Sequence, residues 1–168
     1  MINIVLYEPE IPQNCGNIIR TCVGTASMLH LIEPLGFKVD DKSLKRSAVN
    51  YIEHLQMKVY PNWEAFLKEN DGDFYFLTRY GKNPHTYFDY TKSKKDIYLI
   101  FGKESTGIPK EILKNHLDCC LRIPTTSNVR SLNLANCVAL VTYEVLRQLD
   151  YPGLLFEEPH KGVDYLEK

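Results

Sequence analysis

The chain has 168 residues, 44% of them hydrophobic and 24% charged, with a net charge of −1 and a pI near 6.5. That length suits one domain with a full core. The charge balance excludes a protein that coats nucleic acid nonspecifically, so any nucleic-acid contact must come from a few placed side chains.

Residues 2–7 form a short apolar run, read as a buried strand. The start of the chain has no basic segment and no small-residue cleavage site, so no signal peptide is expected. Two prolines, Pro9 and Pro12, break the run, because neither fits a central strand. Asn14 is then placed to cap a helix whose core face carries Ile18, Ile19, Cys22, Val23 and Ala26. Residues 29–32 read as the second strand, ended by Glu33-Pro34. Strand, loop, helix, strand is a parallel βα unit.

Residues 38–46 carry Lys38, Lys42, Lys45 and Arg46 against Asp40 and Asp41, in a loop and a short helix starting near Asp41. Residues 57–60 are a weak strand. Asn62 caps a helix with Trp63, Phe66 and Leu67 inward. Residues 74–78 form a strand, followed by a turn over 81–84. Lys92, Lys94 and Lys95 form a second basic cluster before the strand 97–101. Pro109 suits the first turn of a helix reaching residue 115, and 119–123 is the last strand.

A loop rich in Ser, Thr and Asn follows, and then a helix over 134–148. Leu134, Val138, Val141 and Val145 form one apolar face of it; Leu132, Ala135, Ala139 and Leu146 mark another. A helix apolar on two faces is covered on both, which points to the chain's own core and to a second copy. Tyr151-Pro152-Gly153 stops it. The elements alternate, so residues 1–153 are expected to be one three-layer α/β domain with a mostly parallel sheet flanked by helices, and 154–168 a polar tail.

No apolar run approaches the roughly 20 residues of a membrane helix. Cys15, Cys22, Cys119, Cys120 and Cys137 are odd in number and lack a Cys-x-x-Cys pair, which fits reduced thiols in a cytoplasmic protein. The five histidines have no metal spacing, and no metal is expected.

Three loops leave strand ends with unusual glycine or polar content: 14–21, 102–107 and 124–133. In an open parallel sheet, ligands bind beyond those ends. The second has Gly102 and Gly107 flanking Glu104; glycines permit close backbone approach, although the same residues suit a plain strand-to-helix turn. Its Lys follows the first Gly, so it is not a phosphate loop, and no Gly-x-Gly-x-x-Gly follows the first strand. An arginine in a helix is ordinarily a solvated surface residue, but beside Ile18, Ile19 and Cys22 Arg20 reads as partly buried and seeking a carboxylate such as Glu104 or an RNA phosphate. Asn133 also suits a helix cap, and Tyr143 an ordinary core or interface aromatic.

Together, Asn14-x-Gly16-Asn17-x-x-Arg20-Thr21, Phe101-Gly102-x-Glu104-x-x-Gly107-Ile108-Pro109 and Ile123-Pro124 with Ser131-Leu132-Asn133 resemble the three motifs of the SPOUT superfamily of knotted RNA methyltransferases. The opening residues 4–14 and the closing Tyr143-Glu144 through Gly153 are similar to its wobble-nucleotide tRNA subgroup. Leu132 departs from the Met common there, a volume-conserving change. The resemblance implies a deep C-terminal trefoil knot, a homodimer whose two copies complete each site, and S-adenosylmethionine as cofactor. It implies cofactor contacts at Leu77, Thr78, Gly102, Glu104, Gly107, Ile123, Ser131 and Leu132. It carries catalytic roles to Asn14, Arg20, Glu104, Ser131, Asn133 and Tyr143. Arg130 matches a position of the wobble subgroup. Arg20, Lys42, Lys45, Arg46 and Arg130 are the expected RNA contacts, with Lys92–Lys95 a further candidate patch. The implied activity is 2′-O-methylation of the wobble ribose, a cytidine or modified uridine, of tRNA, with leucine tRNAs as expected substrates. The alternatives are another tRNA or rRNA site, or a noncatalytic RNA-binding factor of the same fold.

Overall fold

Strand β1 (Ile2–Tyr7) is buried along its length apart from the half-buried Tyr7, as a strand covered on both faces must be. Ile2, Ile4 and Leu6 enter one apolar cluster and Val5 the other, because successive side chains point to opposite faces. A computed structural model describes residues 1–39, 51–162 and 164–168, with the side chain of Ile52 excepted. The short helix expected near Asp41 lies outside the described residues.

The other strands are β2 (Met28–Ile32), β3 (Met57–Tyr60), β4 (Asp73–Leu77), β5 (Asn83–Pro84), β6 (Ile97–Phe101) and β7 (Cys120–Arg122). They form one sheet in the order β3-β2-β1-β6-β4-β7-β5, and every described pair is parallel. Helices α1 (Pro12–Gly24) and α4 (Leu134–Gln148) cover one face. Helices α2 (Trp63–Glu69) and α3 (Lys110–Leu113) cover the other. The expected three-layer α/β architecture is present.

Several local expectations change. Helix α1 starts at Pro12, so Asn14 sits inside its first turn; the N-cap is Ile11, which has no side chain able to cap. Helix α1 also ends at Gly24, and Ala26 lies beyond it at φ 51. Asn62 does cap α2, accepting from the Ala65 N–H at 2.8 Å, with Trp63 and Phe66 buried. Leu67 is 39% exposed, because α2 packs at the β3 edge, where the sheet stops short of covering a third residue. The turn expected over 81–84 includes a two-residue strand, β5, whose Pro84 is tolerated on an edge.

On the α2 side, Asn3, His30, Tyr60, Asn70 and Tyr98 form a polar network inside the core. The Asn3 amide donates to the Ile97 carbonyl at 3.4 Å, so its Oδ1 accepts from His30 Nε2 at 3.0 Å. His30 Nδ1 then accepts from the Tyr60 hydroxyl at 2.9 Å, which in turn accepts from Asn70 Nδ2 at 3.1 Å. Tyr98 donates to Asn70 Oδ1 at 3.3 Å. Every donor has one direction, so His30 is neutral with its proton on Nε2. Burial pushes its pKa down to about 4.

The site end of the sheet is set by a crossing. Strand β7 lies between β4 and β5, so the connection 78–82 must pass over β7. Thr78 N–H donates to the Leu121 carbonyl at 2.8 Å. Gly81 lies so close to Leu121 that a Cβ would sit 2.5 Å from its carbonyl carbon.

Candidate active site

Because Ile11 offers no cap, the first N–H groups of α1 need an acceptor from elsewhere. Glu104, in the loop after β6, supplies it. Its carboxylate accepts from Glu10 N–H at 2.8 Å, Ile11 N–H at 3.2 Å and Asn14 Nδ2 at 3.0 Å. An anion at a helix N-terminus is also favoured by the helix dipole. Asn14 Oδ1 then accepts from Asn133 Nδ2 at 2.9 Å. Asn133 Oδ1 caps α4, accepting from the N–H groups of Ala135 at 2.9 Å and Asn136 at 3.4 Å. Each amide is spent in both directions, so both orientations are set.

Two more contacts bind the first loop to the second. Glu10 accepts from the Ser105 N–H and hydroxyl, both at 2.8 Å, which holds its carboxyl below the usual range. Lys103 Nζ lies 2.6 Å from a Glu8 carboxylate oxygen. Within the second loop, Gly102 abuts the backbone of Gly107 and Ile108, and Gly107 sits at φ +77. Close approach requires Gly102, and a left-handed backbone favours glycine at 107.

These loops enclose a cavity of about 420 Å³ beyond the C-terminal ends of β4, β6 and β7. Leu77, Thr78, Gly102, Glu104, Gly107, Ile123, Ser131 and Leu132 all line it. Asn14, Asn133 and Arg130 line it as well. The sequence reading missed Arg79, Tyr80, Arg122 and Cys137, which also face it. A cation ending the apolar run Cys119–Arg122 was the one available signal for Arg122. Among the described residues, Arg79, Arg122 and Arg130 form no ion pair.

Arg20 and Tyr143 are elsewhere. They line a separate groove of about 410 Å³ between α1 and α4, with Asn17, Thr21 and Tyr51. Arg20 is exposed and makes no bond to Glu104; its guanidinium lies 5.2 Å from the centre of the Tyr51 ring. The expectation of a partly buried Arg20 facing Glu104 fails for a helical reason. Six residues separate it from Asn14, about 240° around the helix and about 9 Å along it.

Lys42, Lys45 and Arg46 lie outside the described residues. The cluster at 92–95 precedes β6, so it sits at the opposite end of the sheet. Lys95 there pairs with Asp71 at 2.9 Å and Lys92 with Asp89 at 3.3 Å. Among the described residues, no group of three His, Cys, Asp or Glu could hold a metal, and no helix is long and apolar enough to cross a membrane.

Residues 1–143 match the model of the SpoU rRNA Methylase family. The chain belongs to that family. A relative from Aeromonas hydrophila, a tRNA (cytidine(34)-2′-O)-methyltransferase, is 46% identical over 159 residues, 94% of this chain and 100% of that one. A solved structure reported as insights into the 2-OH methylation of C/U34 on tRNA is 38% identical, with a TM-score of 0.84 over 89% of this chain and 97% of that one. An AdoMet-bound rRNA methyltransferase from Sinorhizobium meliloti has the same fold, at 24% identity and a TM-score of 0.78 over 88% of this chain and 56% of that one.

Proposed function

We propose that the chain is an S-adenosylmethionine-dependent tRNA 2′-O-methyltransferase acting on the wobble ribose, and that it works as a pair of identical copies. The observation that carries this reading is the convergence of three separated loops on one cavity, with Asn14, Glu104 and Asn133 locked together at its wall. The names of the relatives at 46% and 38% identity support the substrate.

The residues present suit the cofactor. The cavity volume falls in the range of about 300–1,000 Å³ usual for small-molecule sites. Gly102 and Gly107 put no side chain into the cavity from the second loop. Leu77, Ile123 and Leu132 supply apolar surface. When bound, S-adenosylmethionine supplies an electrophilic methyl group on a sulfonium.

The chain's own part is placement. The loops would hold the ribose hydroxyl beside the donor, since fixing two reactants together supplies much of the rate of such a transfer. Arg20 takes a binding role and not that of a base. Its planar fork suits a phosphate beside the target ribose, and its charge favours the developing alkoxide. The 2′-hydroxyl proton leaves through Ser131, a phosphate oxygen or water. Glu104 orients Asn14 and the start of α1.

Arg20 cannot reach its own cavity, so a second copy supplies it. The outer face of α1 and α4 offers the seam: Leu140 is 39% exposed and Tyr143 48%, beside the Arg20 groove. The crossing of 78–82 over β7 supports threading of the following segment beneath it, the arrangement of a knot. Incubating tRNA with the protein and labelled donor, then mapping the methyl group, tests the whole reading. Leucine tRNAs are the first substrates to try; label absent from the wobble ribose of every tRNA would end it.

A further inference from the structure

We propose that Arg122 receives the carboxylate of the methyl donor's amino-acid tail, a subsite at the cavity wall; this rests on reading the cavity as the donor site. Arg122 is the last residue of β7, and its main chain is held: its carbonyl accepts from His85 N–H at 2.8 Å, and Leu121 before it is fully buried. Its side chain lines the cavity, and its Nε is buried with no acceptor in the protein. A buried donor left unpaired is destabilising, and a charged one more so. The Nε is sealed from the cavity, but the terminal nitrogens of the same guanidinium are not, and among the described residues they have no acceptor, so a ligand carboxylate meets the charge there.

The surrounding charges narrow what that ligand group is. Glu104 is the one carboxylate on the cavity wall among the described residues, and three donors of the β1–α1 segment already occupy it. Lys103 is paired with Glu8. Arg79, Arg122 and Arg130 remain uncompensated, so the cavity favours an anion. Their depths differ. Arg79 and Arg130 are exposed, where a phosphodiester of a large RNA arrives, whereas Arg122 is recessed. A small carboxylate reaches it, and a planar fork suits two carboxylate oxygens.

Calorimetry with S-adenosylhomocysteine and with 5′-methylthioadenosine, which lacks the amino-acid tail, separates the possibilities. Wild-type protein should prefer the first. Arg122→Gln should weaken S-adenosylhomocysteine by about tenfold or more, the loss expected for a charge-assisted pair, and leave 5′-methylthioadenosine unchanged. The unchanged ligand then shows that the adenosine pocket is intact. An unaltered preference in Arg122→Gln overturns the proposal. So does a loss of tRNA affinity with both small ligands unaffected, which would make Arg122 a phosphate contact. If Arg122→Gln loses both small ligands, Arg122→Lys decides: 5′-methylthioadenosine bound with a reduced preference supports the subsite, and loss of both again makes the arginine structural and overturns it. Wild-type protein binding neither small ligand is the distinct result that rejects the donor site itself.

Discussion

The amide of Asn133 donates to Asn14 Oδ1 at 2.9 Å, joining two residues 119 positions apart at the N-terminal turns of α1 and α4. The same Asn133 caps α4 with its oxygen, so one side chain serves two helices. Asn133→Asp keeps the cap and removes the donor, setting an anion against Asn14 Oδ1. Stability in urea should stay within about 1 kcal/mol of wild type, while methyl transfer falls. Asn133→Ala should lose about 1 kcal/mol as well, because the cap goes too. Wild-type turnover in Asn133→Asp would show that the bond to Asn14 is idle.

Arg20 stands outside the cavity of its own chain, which makes its role separable from cofactor binding. Arg20→Lys should bind S-adenosylhomocysteine as wild type does and lose most methyl transfer, since a point charge does not replace a fork. Mixing inactive Arg20→Ala with inactive Glu104→Ala protein should restore activity that neither has alone, because mixed pairs contain one intact site. No recovery after subunit exchange would argue against a shared site.

The two glycines of the second loop should respond differently. A Cβ on Gly102 overlaps the backbone of Gly107 and Ile108, so Gly102→Ala must displace the loop crossing and should abolish binding of S-adenosylhomocysteine. A Cβ on Gly107 meets nothing within 4 Å, and the strain comes from its φ of +77 alone. Gly107→Ala should therefore cost about 1–2 kcal/mol of stability and leave measurable binding. Equal effects on binding titrations would contradict the geometry.

His30 ties stability to pH. Its folded pKa is pushed down to about 4 from an ordinary 6.5, so the unfolded chain binds the extra proton first as pH falls. The His30 contribution is complete above pH 6.5 and is lost between there and pH 4, by up to about 3 kcal/mol. The urea midpoint should fall across that window in wild type and fall less steeply in His30→Gln. Identical slopes in the two proteins would place the acid sensitivity elsewhere.

Much of this was legible along the chain. The short apolar runs marked six of the seven strands, and Asn62 and Asn133 announced the helices they cap. The eight residues expected around the cofactor all line one cavity: Leu77, Thr78, Gly102, Glu104, Gly107 and Ile123 lie at or follow strand ends that a parallel sheet brings to one edge, and Ser131 and Leu132 lead into α4 beside them. Asn14 was read as a cap and is instead a link between Glu104 and Asn133. Its local surroundings suit both roles, and only a carboxylate from 90 positions away decides between them.

What the sequence determined by itself are features that depend on near neighbours: strand alternation, the helix caps at Asn62 and Asn133, and polar loops after β6 and β7, whereas residues 14–21, read as a loop, lie inside α1. Only the tertiary structure decided which way the side chains at those loops face. It turned Arg20 and Tyr143 into a second groove, brought Arg122 and Arg79 to the cavity, and set the strand ends so that 78–82 crosses β7. Those outcomes depend on rotation around a helix and on contacts between distant segments, and neither is a property of any short window of residues.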